Sequence, residues 1–159
     1  IVDRLVGSEM CIRDSSSADA LATAISGDSA LLDEAGSVTV TGGTVDVADA
    51  AAIQGISGYV DSTASSYDIV DSASAIVGAT DAILNTGGVA TVTVSGVATA
   101  AQGADIDGFS KEVAFNVVDD AQDVIDEMTA HNEIASAQTI TVSGVATAAQ
   151  GFDLSLIHI

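Results

Sequence analysis

A 15-residue segment occurs twice in this chain, at residues 91–105 and 139–153, with 13 of 15 positions identical. The same offset of 48 residues, which we call the repeat period, relates residues 67–71 to residues 115–119. These two stretches share an aromatic-polar-apolar-apolar-Asp pattern, and a more diverged copy of the 15-residue segment begins at Val38. Repetition at a fixed spacing of about 20–50 residues is the sequence signature of repeat proteins. We therefore expect one structural unit to recur along the chain.

Short runs of β-branched residues recur within each repeat period and predict strands. The runs lie at residues 38–41, 67–70, 91–94, 113–118 and 139–142. Successive runs begin at similar distances along the chain, so that two of them fall within each repeat period. Each period therefore contains two similar halves.

Helix-like segments lie between these strands. Over residues 121–128 the apolar positions fall at i, i+3, i+4 and i+7, on one face of a helix. Residues 73–84 have a similar apolar face. Gly78 is a weak point of this predicted helix, because glycine is a poor helix former. Asp71 with Ser72, and Asp119 with Asp120, mark the turns into these helices, and their side chains can accept the free N–H groups of a first helical turn. We expect these residues to act as caps.

A strand, a cap, a helix and a turn that recur about every 24 residues are typical of units that stack on copies of themselves. The predicted fold class is α/β: a repetitive solenoid of strand-helix units, with one parallel sheet and helices along the other side. The spacing falls in the range of leucine-rich repeats, but the leucine and asparagine ladder of that family is missing.

Two other architectures fit parts of the pattern. An open doubly wound sheet is also built from strand-helix units, but it predicts unlike halves and a glycine-rich phosphate loop, and no G-x-G-x-x-G occurs in the chain. Tandem all-β adhesin domains would use TVTVSG as a strand, but the ATAAQ run that follows it is a poor strand sequence.

The two ends of the chain are related at the DNA level. Residues 10–15 can be encoded by ATG TGT ATA AGA GAC AG, and the reverse complement of that string encodes residues 154–159. The string resembles the transposon end that is ligated to fragments in sequencing libraries. We predict that residues 1–15 and 154–159 are translated adapter, disordered or non-native, and that residues 16–153 are a repeat region that stops in mid-repeat.

Removing these ends leaves a strongly acidic segment. Of the 23 acidic residues in the chain, 20 lie in residues 16–153, where Lys111 is the only basic residue. A surface without Lys or Arg cannot neutralise phosphates, which argues against nucleic acid and anionic membranes as partners. No window approaches the roughly 20 apolar residues of a membrane span, so we expect no membrane insertion. The expected partners are neighbouring repeats of the same chain.

The repeat units resemble those of a known class of proteins. The segment YDIVDSASAIVGATDAILNTGGVATVTVSGVATAAQGADIDG is similar to repeat modules in very large, adhesin-like secreted surface proteins of marine and photosynthetic bacteria. Such proteins often also carry calcium-binding nonapeptide repeats. The resemblance covers most of residues 18–153 and implies an extracellular or cell-surface location and a non-catalytic, structural or adhesive role. The Gly-Gly-x-Gly-x-Asp pattern of the calcium nonapeptide is absent.

Calcium is the one cofactor for which the sequence offers candidates, Asp71 and Asp119. Equivalent positions stack in a solenoid, so these carboxylates could line up to bind a hard cation between units. Helix capping explains the same recurrence without a metal, and we favour capping because no EF-hand loop is present. A calcium titration distinguishes the two hypotheses, since unchanged thermal unfolding at millimolar calcium would exclude the metal.

Enzymatic chemistry is not predicted. A serine triad or a zinc pair needs histidine, and residues 16–153 contain one, His131, which we interpret as a solvated surface residue. The carboxylate pairs Asp105 with Asp107 and Asp119 with Asp120 lack aromatic or basic substrate-binding partners, so we interpret them as caps and solvated charges.

Two functional classes therefore stay open. A structural spacer would hold a distal domain away from a cell and would be kept soluble by its negative charge. A binding module for a glycan or a protein would present exposed aromatics, with Tyr59 and Phe109 as candidates, whereas Tyr67 and Phe115 are expected to be buried. We also expect that residues 16–153 on their own expose sheet edges and are marginally stable or self-associating.

Overall fold

The structure is a computed structural model that describes residues 13–28, 37–130 and 134–156. Its strands are β1 (Arg13–Ser16), β2 (Ser37–Val45), β3 (Ser66–Asp71), β4 (Val89–Val94), β5 (Val113–Ala114), β6 (Asn116–Asp120) and β7 (Thr139–Ser143). Its helices are α1 (Ala18–Asp28), α2 (Val47–Gln54), α3 (Ala73–Gly78), α4 (Asp81–Leu84), α5 (Ala100–Asp107), α6 (Ala121–Ala130) and α7 (Ala148–Leu156).

All of these strands pair in parallel and in chain order. Strands β1 to β5 form one five-stranded sheet, and β6 pairs with β7 in a second sheet. Antiparallel sandwich domains are therefore wrong for the described residues. The order also lacks the reversal of strand sequence that marks a doubly wound sheet. The predicted α/β class with parallel strands is confirmed.

The prediction of one sheet is wrong, and the interruption has a local cause. Thr93 pairs with Ala114, but the next paired residues are Ala98 and Val117. Between these two pairs, more residues therefore lie on the chain segment that follows Thr93 than on the segment that follows Ala114. The extra residues form a turn in which Gly96 has a φ of 91°, a left-handed conformation that glycine adopts without strain. On the partner strand, Phe115 lies at this interruption, between β5 and β6.

The helices begin where polar caps precede them. Asp46, Ser72 and Thr99 each accept a hydrogen bond from the third backbone N–H that follows, at the starts of α2, α3 and α5. Thr99 and Gln102 bond reciprocally as a capping box, which satisfies two N–H groups that a helix start leaves without partners. The predicted helix over residues 73–84 is divided into α3 and α4, and α3 ends at the weak point, Gly78.

The core lies between the sheet and the helices and is built mainly from aliphatic side chains, with two buried aromatic side chains. Tyr67 on β3 and Phe115, between β5 and β6, are both 1% exposed, and they occupy equivalent positions one repeat period apart, as predicted. Ile69 and Val117 repeat this relationship and are fully buried. Burying such side chains stabilises the fold by about 1.5–3 kcal/mol each.

Helices contact one another along the chain: α1 contacts α2, α2 contacts α4, α3 contacts α5, α5 contacts α6, and α6 contacts α7. At the two ends, Arg13–Ser16 form β1, and α7 extends to Leu156. The adapter origin assigned to residues 1–15 and 154–159 stays a prediction from the DNA argument.

Candidate functional site

The carboxyl ends of β3 and β6 carry the two residues that the sequence singled out. The Oδ2 atom of Asp71 accepts a hydrogen bond from the backbone N–H of Val47 at 3.1 Å, and Asp119 Oδ2 accepts one from the N–H of Ala100 at 2.9 Å. Val47 and Ala100 are the first residues of α2 and α5. Each Asp therefore binds the start of a helix, where the unpaired N–H groups and the helix dipole favour a carboxylate.

The other oxygen of each carboxylate is also bonded. Asp71 Oδ1 accepts the N–H of Ser72 at 2.7 Å, and Asp119 Oδ1 accepts the N–H of Asp120 at 2.9 Å. Both side chains are caps, as predicted, but they cap the helix that precedes their strand in the chain. The helices that follow are capped instead by Ser72, which accepts from Ala75, and by Asp120.

The calcium hypothesis required the two carboxylates to line up, and the structure does not bring Asp71 and Asp119 together. Strand β4 pairs with β3 on one side and with β5 on the other, so it lies between them. Within residues 13–28, 37–130 and 134–156, no group of three or more His, Cys, Asp or Glu side chains is placed to hold a metal ion. The oxygens that would ligate calcium each accept a backbone N–H.

Two further hydrogen bonds between neighbouring units recur one repeat period apart. Thr91 Oγ1 donates to Asp68 at 2.6 Å, and Thr139 Oγ1 donates to Asn116 at 2.7 Å. The amide Nε2 of Gln102 donates to Ser74 at 3.0 Å, and that of Gln150 donates to Gln122 at 3.3 Å. These polar contacts join successive strands and successive helices at matched positions.

The remaining carboxylates of interest are dispersed. Asp105 is exposed, and Asp107 accepts a hydrogen bond from the Ser136 hydroxyl. Asp120 Oδ1 accepts the N–H of Asp123 at 3.0 Å, and the negative charge of Asp120 raises the pKa of Asp123 above its ordinary value. Asp119 and Asp120 thus each accept backbone N–H groups. His131 lies outside the described residues.

Sequence reasoning missed a small acidic depression between α1 and α2. It has a volume of about 280 Å³ and is lined by Asp19, Ala22, Thr23 and Asp49. Partial burial raises the pKa of Asp49, and the charges of Asp46 and Asp19 raise it further. The residues come from helices that are separated in the chain, so no local spacing reveals the cluster.

A second polar cluster, also missed, lies at the inner side of α2. The Nε2 atom of Gln54 donates to the Tyr67 hydroxyl at 2.8 Å, to the Ile83 carbonyl at 2.9 Å and to Thr86 Oγ1 at 3.3 Å. The nearby hydroxyl of Tyr59 is buried and has no hydrogen-bond partner among the described residues. Burial raises the pKa of Tyr59. These hydrogen bonds join α2 to β3 and to α4 and the turn that follows it.

The aromatic residues predicted for a binding surface are packed inward. Tyr59 and Phe109 are half-buried and both pack against the core. Phe152 is the aromatic side chain with substantial exposure in the described part of the chain, at 64%.

Comparison of the chain with protein-family models, curated proteins and solved structures gave no match. Among the described residues, no helix has the length and apolar character needed to cross a membrane.

Proposed function

We propose that this chain is a non-catalytic spacer segment of a secreted bacterial surface protein, in which strand-helix units stack end to end as an α/β solenoid. Each unit would bury its apolar side against the next, and the length of the rod would follow from the number of units. The extracellular location comes from the resemblance of the repeat units to those of large bacterial surface proteins.

The observation that carries this proposal is that the same contacts between units recur in successive repeat periods. The bond from Thr91 to Asp68 has its counterpart in that from Thr139 to Asn116. Parallel pairing in chain order accompanies these bonds. A set of contacts that repeats with the sequence can be continued by adding units, which is the property that a spacer needs.

Charge supports the same role. The chain carries a formal net charge of −20 at pH 7. Lys111, the basic residue of segment 16–153, donates a hydrogen bond to the carbonyl of Val89 at 2.7 Å. Its ammonium group therefore takes part in a contact between units. Net charge far from zero keeps a protein soluble and makes neighbouring copies repel one another. This repulsion suits rods that stand close together on a surface.

The alternative from the sequence, an adhesive or calcium-binding module that recognises a glycan or a protein, has less support. Its aromatic candidates, Tyr59 and Phe109, pack against the core. Its metal candidates, Asp71 and Asp119, are separated and serve as caps. The described residues therefore favour the spacer.

Insertion of additional periods tests the spacer. One, two or three tandem copies of residues 67–114 would be inserted after Ala114, so that each junction reproduces a native order of elements. Each copy adds two strands, and parallel strands lie about 4.8 Å apart, so the maximum dimension from small-angle X-ray scattering should grow by about 10 Å per copy. A control insert of the same composition in scrambled order should add no regular structure by circular dichroism. A dimension that grows much less than linearly with copy number would contradict the proposal.

A further inference from the structure

The two copies of the 15-residue repeat carry the same surface but differ in what covers it. In the first copy, Val92, Ala98, Ala100 and Ile106 are all buried. At the equivalent positions of the second copy, Ala148 is exposed, and Ile140 and Ala146 are half-buried. Val145 is 99% exposed, against 56% for the equivalent Val97, and Phe152, which replaces Ala104 of the first copy, is 64% exposed. We call the surface formed by β7 and α7 the terminal face.

The first copy is covered by residues 113–130 and by Ile134. A Cβ atom added to Gly103 would lie 2.9 Å from Ile134 Cγ2, 3.0 Å from Val117 Cγ2 and 3.2 Å from Phe115 Cε2. The same addition at Gly151 of the second copy would meet nothing within 4 Å among the described residues. Gly103 therefore lies at the bottom of a depression, here called the cradle, that Phe115, Val117 and Ile134 fill. Gly151 lies at the bottom of the equivalent cradle, which no described residue fills.

Backbone hydrogen bonds complete the cover of the first copy. The N–H of Ala98 donates to the Asn116 carbonyl at 2.8 Å, and the N–H of Val118 donates to the Ala98 carbonyl at 3.0 Å. Asp119 then caps α5 through Ala100. In the second copy, the described strands include none that pairs with Ala146 or with the outer edge of β7.

We infer that the terminal face is a docking site for a strand-helix segment of this chain's own repeat type. The incoming strand would extend the sheet beyond β7, its apolar residues would fill the cradle at Gly151, and the Asp at its end would cap α7 at Ala148. The inference rests on the proposed stacking of units. It adds the recognition elements, which are an aromatic residue, a β-branched residue two positions later and an Asp four positions after the aromatic.

The occupant is specified by the chain itself. Because 13 of 15 residues are shared between residues 91–105 and 139–153, a segment that fits the first copy meets nearly the same side chains on the second. The one bulky difference, Phe152 in place of Ala104, enlarges the apolar area that the occupant can cover. Strand addition to an exposed edge with pockets for alternate side chains is an established mode of peptide recognition.

A labelled peptide of residues 109–137, added to the full chain, tests the docking site by fluorescence anisotropy. We expect saturable binding with one peptide per chain. A D119A peptide, which lacks the capping carboxylate, should bind about tenfold more weakly. An F115S peptide should lose most of its binding, because it no longer fills the cradle.

Matched variants of the chain locate the site. Gly151→Leu fills the open cradle without a clash in the free chain, so it should abolish peptide binding while the urea midpoint is maintained. Gly78→Leu is the control, because a Cβ at Gly78 also meets nothing within 4 Å and lies far from the terminal face in sequence. Equal binding to the wild type and to Gly151→Leu, or no binding to either, would overturn the inference. Neither result affects the growth in length that tests the spacer, so the two proposals fail separately.

Discussion

Asp119, at the end of β6, closes the start of α5 by accepting the backbone N–H of Ala100 at 2.9 Å. Ala100 and Asp119 belong to successive strand-helix segments of the chain, so this hydrogen bond also joins one segment to the next. Asp71 and Val47 show the same relationship in the preceding repeat period. An Asp at a strand end thus adds an acceptor to the start of a helix that Asp46 or Thr99 also caps, and it joins that helix to the next strand.

Replacement of Asp119 by Ala should lower the free energy of unfolding by about 1–2 kcal/mol. The variant keeps the Thr99 capping box of α5 but leaves the N–H of Ala100 without its acceptor, and a lost hydrogen bond to a charged group at a helix start is typically worth about that amount. Urea denaturation followed by circular dichroism measures the change. Asp105→Ala serves as the control, because Asp105 is an exposed residue within α5 and its loss should change stability by less than about 0.5 kcal/mol. Equal effects of the two substitutions on the free energy of unfolding would show that the hydrogen bond from Ala100 to Asp119 contributes nothing beyond the charge of Asp119.

The strands and the buried aromatics could be predicted because each follows from local pattern. Runs of β-branched residues predicted β3, β4 and β7 close to their observed bounds, whereas β1 was not predicted, β2 extends to Val45 and the run at 113–118 is divided into β5 and β6. The equivalent positions of Tyr67 and Phe115 predicted their common burial. Parallel pairing followed from the alternation of strands with helices. The same reasoning identified Asp71 and Asp119 as caps, but it assigned them to the helices that follow, which Ser72 and Asp120 cap.

The contacts between units could not be predicted in detail because they depend on lateral pairing. Which helix Asp119 caps is decided by the alignment of Ala98 with Val117, and that alignment includes a turn at Gly96 that no strand pattern indicates. The cluster around Gln54 joins residues that are far apart in the chain. The spacing of residues in the sequence indicates which side chains share a face of one helix or strand. The contacts described here join different helices and strands.

The same substitution at the two repeat glycines should have opposite effects. Gly103→Ala should destabilise the protein by about 1–3 kcal/mol, since the new methyl group would crowd Ile134 and Val117 at 3.0 Å or less. Gly151→Ala should stabilise it by up to about 1 kcal/mol, because alanine favours the helix and the site is open. Thermal and urea unfolding of both variants measure the contrast. A stabilising Gly103→Ala would mean that α5 is not in close contact with the segment that covers it.

Acidification should stabilise the fold over a defined window. The pKa of Asp123 is raised chiefly by the charge of Asp120, and that of Asp49 chiefly by desolvation. A carboxyl group whose pKa is higher in the folded state binds its proton more tightly there. The stabilisation by protonation is therefore lost as the pH rises through the folded pKa, which lies above the ordinary value of 3.8. We expect the urea midpoint to increase as the pH is lowered from neutral towards that value.

Asp123→Asn provides the matched test of this pH dependence. The variant removes one negative charge beside Asp120 and Asp119, so it should be more stable than the wild type at neutral pH. Its stability should also change less between neutral pH and mildly acidic pH, because one of the responding groups is absent. Added salt should narrow the difference at neutral pH, since exposed charges are screened. A midpoint that falls steadily on acidification in the wild type would contradict the assignment.

Gly88 and Tyr59 should show strong coupling in a double-mutant cycle. A Cβ added to Gly88 would overlap the Tyr59 hydroxyl oxygen, whereas it would lie 3.1 Å from Ser65 Cβ and 3.3 Å from the ring carbon that carries the hydroxyl. Gly88→Ala alone should therefore destabilise the protein by about 2 kcal/mol or more through overpacking. Tyr59→Phe alone should be neutral or stabilising by up to about 1 kcal/mol, because it removes a buried hydroxyl that has no partner among the described residues. In the double variant the alanine methyl occupies the space that the hydroxyl has vacated, so most of the loss should be recovered, with an interaction free energy of about 1–3 kcal/mol. Additive effects, measured from urea unfolding of all four proteins, would mean that the hydroxyl does not lie against the backbone at Gly88.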